Sequence, residues 1–227
     1  MRIAKFISNS GYCSRRDAEK LISQKKVYIN NKICLEPNVN VNISDKIEID
    51  KKKIILKNEL KLWKIYKPIK IICTNKDPQK RKTIFDMLPE KMPRVISIGR
   101  LDYMSEGLLL LTNNGDYSRT LELPIKGYER TYRVCIRGEI EKKNIFSINK
   151  GIKIKNVVYE KIKIKKEKSN KNFTWLIVKL KEGKNREIRN VCEYYSWKIV
   201  KLIRIQYGPY KLEKTAKGQI REIKKIY

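Results

Sequence analysis

Apolar residues recur at Ile3, Phe6 and Ile7 in RIAKFISNSG, the three-to-four spacing of a helix face, and Gly11 offers a stop. SRRDAEKLI repeats that spacing with Ala18, Leu21 and Ile22. Ser14 stands at the cap position with Asp17 three residues on, the spacing of a capping box. VYI and KICL then flank Asn30-Asn31, a pair that tolerates positive φ and suits a tight hairpin. VNISDKIEID reads as one further short strand. KKKIILKNELK is charged and polar, which places a boundary near Asn58. The pattern thus predicts a small unit over 1–58: two short helices feeding a hairpin.

From Leu62 the period shortens. KLWKIYKP and IKIICT predict strands around a Lys67-Pro68 turn. TIFDMLPEKMP predicts a short helix ended by proline, and RVISIG a strand. GLLLLTN is a continuous apolar run, as in a strand buried on both faces. Asn113-Asn114-Gly115 predicts a turn, and DYSRTLELP a helix that stops at Pro124. ERTYRVCIRG alternates at Tyr132, Val134 and Ile136, and NVVYEKIKIKKEKSNKNFTWLIVKLKEG reads as two strands around a polar turn. NREIRNVCEYYSW predicts a helix, and KIVKLIRIQYGPYKL a last strand. Runs of strands with few helices make the second unit, 61–227, α+β with a mainly antiparallel sheet.

Charge narrows the class of partner. The net charge of the 227 residues is +30, from 54 lysines and arginines against 24 acids. Codon bias toward Lys, Ile and Asn explains part of this, but it would enrich Glu as well, and acids are scarce. A polyanionic partner, nucleic acid above all, is expected. Both units share the excess: the first sixty residues carry 13 bases against 7 acids. Arg15, Arg16, Lys20, Lys25 and Lys26 gather near one end of the small unit and are candidates for phosphate contact. No apolar run is long enough for a membrane span, and MRIAKFISNSG is too polar for a secretory signal, so a soluble, cytoplasmic protein is expected. There is no histidine, which excludes imidazole chemistry and histidine metal ligands. The five cysteines form no C-x-x-C pair and read as free thiols.

One acid stands out. GRLDYMSEGLLLLTNNGD places Asp102 just ahead of four leucines. A carboxylate there would lose hydration and resist ionisation unless a cation stood beside it. Paired with an arginine in an apolar cleft, it could act as a covalent nucleophile or proton acceptor. By spacing alone it could equally cap a turn or pair with Arg100.

SRRDAEKLI followed by VYINNK resembles the S4 RNA-binding module, which lies against folded RNA. GRLDYMSEGLLLLTNNGD resembles the catalytic segment of the RsuA/RluB-type family of ribosomal RNA pseudouridine synthases. ERTYRV and LKEGKNREIRNVCEYYSWKIVKLIRIQYGPYKL resemble two further motifs of that family, in order and spacing. The resemblance implies that Asp102 is the catalytic aspartate and that Arg189 pairs with it. It implies that Tyr132 stacks on the base. Arg100 and Ser105 would hold the aspartate's loop, and Ile203 would form part of the apolar pocket wall. Lys184 and Arg186 fall in the basic segment expected to contact RNA. The implied reaction isomerises a uridine in ribosomal RNA without metal or cofactor, in a monomer. Four positions depart from the family pattern: Glu187, Asn190, Cys192 and Asn114. Glu187 and Asn190 each lower the positive charge expected at the RNA.

The opening RIAKFISNSGYCSRRDAEKLI and the phrase DPQKRKTIFDMLP look closer to the large-subunit branch. The alternatives are the same reaction on small-subunit RNA and a non-catalytic S4-type assembly factor. A DNA-binding regulator has less support, since no zinc spacing or basic zipper is present.

Overall fold

The computed structural model describes residues 1–56 and 59–226. The chain begins with helix α1 (Ile3–Asn9) and helix α2 (Arg15–Ser23). The Ser14 hydroxyl accepts from the Asp17 backbone N–H at 3.1 Å and donates to the Asp17 carboxylate at 2.6 Å, so the cap forms as its spacing predicts. Strands β1 (Val27–Ile29), β2 (Lys32–Ile33), β3 (Ile47–Ile49) and β4 (Lys52–Ile54) form an antiparallel sheet in the order β2-β1-β3-β4. Asn30 and Asn31 turn at φ 49° and 67°, the left-handed pair a two-residue hairpin needs. Ile3, Ile7, Ala18, Ile22, Val27, Ile47 and Ile49 close this unit's own core.

Two expectations need correction here. VNISDKIEID is a strand only over Ile47–Ile49, because the Asp45 carboxylate accepts from the Asn42 N–H at 2.7 Å and closes a turn ahead of it. KKKIILKNELK contains β4: Asp50 and Lys51, at φ 48° and 63°, reverse the chain, and Ile54 is buried. Exposed Lys52 and Lys53 suit an edge strand, where charge deters further pairing. The boundary expected near Asn58, like the terminal Tyr227, lies outside the described residues.

Among the described residues, the rest of the chain builds one nine-stranded sheet, a two-stranded ribbon and three helices. In chain order come β5 (Leu62–Lys67), β6 (Ile96–Ile98), β7 (Glu106–Thr112), α3 (Gly115–Glu122), β8 (Arg130–Arg137) and α4 (Lys142–Lys150). Then follow β9 (Ile152–Ile154), β10 (Val157–Tyr159), β11 (Lys163–Ser169), β12 (Phe173–Leu180) and α5 (Glu187–Tyr194). β13 (Ile199–Tyr207), β14 (Tyr210–Lys211) and β15 (Ile220–Ile223) complete it. The large sheet runs β11-β12-β8-β13-β7-β5-β15, with β6 on β7 and β14 on β13. Every pairing in it is antiparallel except β7 with β13. No helix among the described residues is long and apolar enough to cross a membrane.

Further stretches fold otherwise than their pattern predicts: NVVYEKIKIKKEKSNKNFTWLIVKLKEG forms three strands, β10, β11 and β12, in place of two. IKIICT forms no strand: Pro68 and the left-handed Lys70 (φ 62°) bend it, leaving a single bridge from Ile72 to Thr83. TIFDMLPEKMP yields one 3-10 turn, Phe85–Met87. KIVKLIRIQYGPYKL is not the last strand, since β15 returns to pair with β5. Helix α4 was not predicted: its buried side is little more than Ile148, too thin a stripe in so polar a segment.

β7 is buried along its whole length and sits at the centre. Leu108 and Leu110 face a core with Tyr117 and Leu121 of α3; Leu109 and Leu111 face another with Ile65, Ile84 and Leu101. Each buried leucine contributes about 1.5–3 kcal/mol of apolar transfer. At its start β7 meets β13 in parallel, Ile203 opposite Glu106 and Arg204 opposite Gly107. Gly107 has φ 107°, and a Cβ there would lie 2.3 Å from the Arg204 carbonyl oxygen. Glycine is required for that approach. The Arg204 side chain is buried and its Nε donates to the Leu108 carbonyl at 2.8 Å.

Lys67, the last residue of β5, is fully buried behind the turn that leads into β7. Its Nζ donates to the carbonyls of Ser105 (2.8 Å), Pro68 (3.0 Å) and Asp102 (3.1 Å). Burial pulls its pKa down to about 8, with Asp102 among the nearby anions that oppose the shift.

Two outcomes follow from this packing. Gly107→Ala should lower stability by about 3 kcal/mol through backbone overlap and strain, read as a lower urea midpoint with an unchanged slope. The unfolded chain keeps the Lys67 proton to about 10.5 and the folded chain releases it near 8, so the unfolded state binds more protons between those values. The stability of the native chain relative to Lys67→Met should therefore rise with pH through that window. A flat difference in urea midpoints would place the Lys67 proton elsewhere.

Candidate active site

The turn between β6 and β7 carries Asp102. The Ser105 N–H donates to the Asp102 carbonyl at 3.0 Å, which closes the turn, and Lys67 grips the same carbonyl from beneath. Glu122 of α3 braces the approach: its carboxylate accepts from the Gly99 N–H at 2.9 Å and from the Ser118 hydroxyl at 2.7 Å. Asn114 caps α3 by accepting from the Tyr117 N–H at 2.9 Å, so the departure from aspartate at this position keeps the cap.

Arg189 reaches Asp102 from α5. Its Nε lies 3.3 Å from Asp102 Oδ2, while Nη2 donates to the Met104 carbonyl at 2.9 Å and to the Ser105 hydroxyl at 3.0 Å. One guanidinium thus binds both the carboxylate and the turn that presents it. The Asp102 side chain is 35% exposed and Arg189 15%. The carboxylate remains open to a cleft of about 740 Å³.

Tyr132 from β8 and Leu202 and Arg204 from β13 line that cleft with Asp102. Tyr132 also packs against the cores on both sides of the β8–β13 junction. Arg130 stands at one end, donating to the carbonyls of Lys181 (2.6 Å) and Glu182 (3.1 Å) and to the Tyr207 hydroxyl (3.0 Å). Seven lysine and arginine side chains line the cleft against four carboxylates among the described residues. Three of those carboxylates are engaged. Glu122 holds Gly99; Glu182 pairs with Lys184 at 2.6 Å; buried Glu187 accepts from the Lys184 N–H at 2.8 Å. Desolvation raises the pKa of Glu187. Among the described residues no group of three or more His, Cys, Asp or Glu could hold a metal ion.

The structure brings together Asp102, Tyr132, Arg189, Arg100, Ser105, Lys184 and Arg186 around one cleft. It does not bring Ile203 there. Ile203 packs with the α3-side core, on the opposite face of β13 from Leu202 and Arg204, because strand neighbours alternate. Arg100 is exposed at the cleft and forms no ion pair with Asp102 among the described residues. Lys184 turns inward, its Nζ donating to the Val158 carbonyl and to Glu182, each at 2.6 Å. Asn190 also turns away, donating to the Tyr159 hydroxyl at 2.9 Å, and Glu187 lines the cleft with its carboxylate holding its own loop. Lys67, Arg130 and Arg204 are support residues that the sequence pattern does not single out. A lysine or arginine in a chain this basic gives no sign of burial. Arg15, Arg16, Lys20, Lys25 and Lys26 are all exposed and form no ion pair among the described residues.

Known proteins place the chain. The model of the family described as RNA pseudouridylate synthase matches residues 61–194, and that of the S4 domain matches residues 1–47. An RNA pseudouridine synthase of Rickettsia felis, named as uncharacterized, is 48% identical over 224 residues, covering 98% of this chain and 96% of the relative. Ribosomal large subunit pseudouridine synthase B of Buchnera aphidicola is 39% identical, covering 100% and 91%. The protein of that name in Bacillus subtilis is 32% identical, covering 98% and 91%. A pseudouridylate synthase crystal structure shares the fold at TM-score 0.70 and 24% identity, covering 99% of this chain and 96% of its own. With this fold and an S4 domain ahead of it, the chain belongs to the RNA pseudouridylate synthase family.

Proposed function

We propose that the chain converts a uridine of large-subunit ribosomal RNA to pseudouridine, with Asp102 as the nucleophile. The observation that carries this reading is the Asp102–Arg189 pair, open to a cleft whose other carboxylates are engaged elsewhere. The Buchnera aphidicola and Bacillus subtilis relatives both bear a large-subunit name, which supports the target.

A uridine inside a stem must first leave it, at a cost of a few kcal/mol. Stacking on Tyr132 returns about 1–3 kcal/mol. Asp102 attacks the sugar or the base of the extruded nucleotide. The N1–C1′ bond breaks, the base turns over and a C5–C1′ bond forms; the bond to Asp102 breaks to return the free carboxylate, C5 gives up its proton and N1 takes one from solvent. No electrons are gained or lost overall. Arg189 keeps the carboxylate aimed, because its other nitrogen is anchored on the turn. Residues 61–227 act as the catalytic domain and 1–58 as the RNA-binding domain. Arg15, Arg16, Lys20, Lys25 and Lys26 neutralise phosphates and position the RNA without reading bases. Arg100 and Arg186 extend that contact to the cleft.

Tritium release from C5-labelled uridine, in unmodified large- and small-subunit RNA tested separately, checks the reading. Release is expected from large-subunit RNA; release from small-subunit RNA instead would move the target. Asp102→Asn should bind RNA as the native chain does and release nothing. Substantial turnover in that variant would remove the nucleophile. Arg189→Met should lower kcat about 100-fold with little change in KM, the loss expected for one preorganised charge in a site.

A further inference from the structure

The large sheet is covered unevenly. Under β5, β6 and β7, one face is packed by α3 and the β13–β14 hairpin, with Tyr117, Leu121, Tyr210 and Leu212 buried on it. The same face continues across β13, β8, β12 and β11. Helices α4 and α5 do not cover it there: Ile148, Ile188 and Val191 pack on the opposite side, against Val134, Leu176 and Val178.

Alternation and register determine what the bare face presents. One row across the strands is Lys165, Ile177 and Arg133. The next is Lys168, Trp175, Cys135 and Lys201, and Phe173 lies beyond it beside Arg137. Trp175 is half-buried, and the Arg133 guanidinium lies 4.4 Å from its ring centroid, held in place by Glu167 at 2.7 Å. Lys165, Lys168, Lys201 and Arg137 are exposed and form no ion pair among the described residues. At the β11–β12 end, Lys163 and Lys179 run into a groove of about 660 Å³ whose walls add Lys150, Lys153 and Lys181. Glu129 and Glu160 are the acids there, and Glu129 is already paired with Lys179 at 3.1 Å.

The Trp175 ring and the planar Arg133 guanidinium over it, flanked by unpaired cations on one face of the sheet, offer what a stacked base and its phosphates need. A second copy of the chain would set like charge against like. We infer that this face is a platform for single-stranded RNA, with a base stacked on Trp175 and phosphates on Lys165, Lys168, Lys201 and Arg137. It is separate from the cleft, because Tyr132, Leu202 and Arg204 face the other way. The inference goes beyond the proposed reaction and requires no particular uridine.

The test uses the full chain and a short labelled oligouridine. Binding should quench intrinsic tryptophan fluorescence. Trp175→Phe should bind as tightly but lose the quench, since Trp63 is buried and Trp197 lies stacked on Tyr195. Trp175→Ala should weaken binding about 5- to 100-fold. Lys165→Gln/Lys168→Gln/Lys201→Gln should lower the salt slope by about 2. Tritium release from a minimal stem-loop should persist in all three variants, so failure of the platform and failure of the reaction read out separately. A quench that survives in Trp175→Phe, an unchanged affinity in Trp175→Ala, or an equal loss for an RNA duplex in Trp175→Ala would overturn the platform.

Discussion

The parallel contact between β7 and β13 holds the molecule's chemistry together. Parallel strands begin at the same end of a sheet, so whatever precedes each of them is brought side by side. The turn bearing Asp102 precedes β7, and the helix bearing Arg189 precedes β13. Pairing Gly107 with Arg204 therefore sets the carboxylate against the guanidinium, although 87 residues separate them. The contact exists because Gly107 has no side chain. With the Arg204 carbonyl 2.3 Å from where a Cβ would stand, any other residue would push β13 away and take Arg189 with it.

Around that contact, buried charge is used to hold backbone in place. Lys67 donates its ammonium to two carbonyls of the Asp102 segment, those of Asp102 and Ser105, and to that of Pro68. Arg204 holds the Leu108 carbonyl and Glu187 the loop that opens α5, while the exposed Glu122 holds the Gly99 N–H. A buried charge that meets several backbone dipoles recovers part of its desolvation cost and stiffens the segment it binds. Buried Arg204 and Glu187 in the cleft wall are thus engaged inside the protein, while Arg81, Arg100 and Arg186 are exposed and the Asp102 carboxylate meets the opening. The surface excess of lysine and arginine serves another purpose, since it is solvated and spread over both units, where long-range attraction to a polyanion is strongest.

Helices α1 and α2, the Asn30-Asn31 hairpin, β7 and the Ser14 cap were legible because each rests on local spacing or local backbone preference. β4 was missed because its lysines look like a linker; what makes them a strand is the left-handed pair Asp50-Lys51 just before them. α4 was missed because its apolar side is too thin to register as a period. The Asp102 segment was legible as chemistry through its motif. Ile203 was misplaced because one residue of register in a strand exchanges the two faces, and the sequence of β13 is apolar on both.

The α+β class, the capped helices, the buried apolar strand β7, the basic charge and the family motifs are all written in local or additive properties of the residues. Tertiary structure alone decided which charges are buried and which face the cleft. It also decided that Leu202 lines the cleft in place of Ile203, and that α4 and α5 pack on the face of β8 and β12 opposite Trp175. Those outcomes depend on pairings between residues far apart in the chain. Strand order and register, which no single stretch of sequence encodes, select among them.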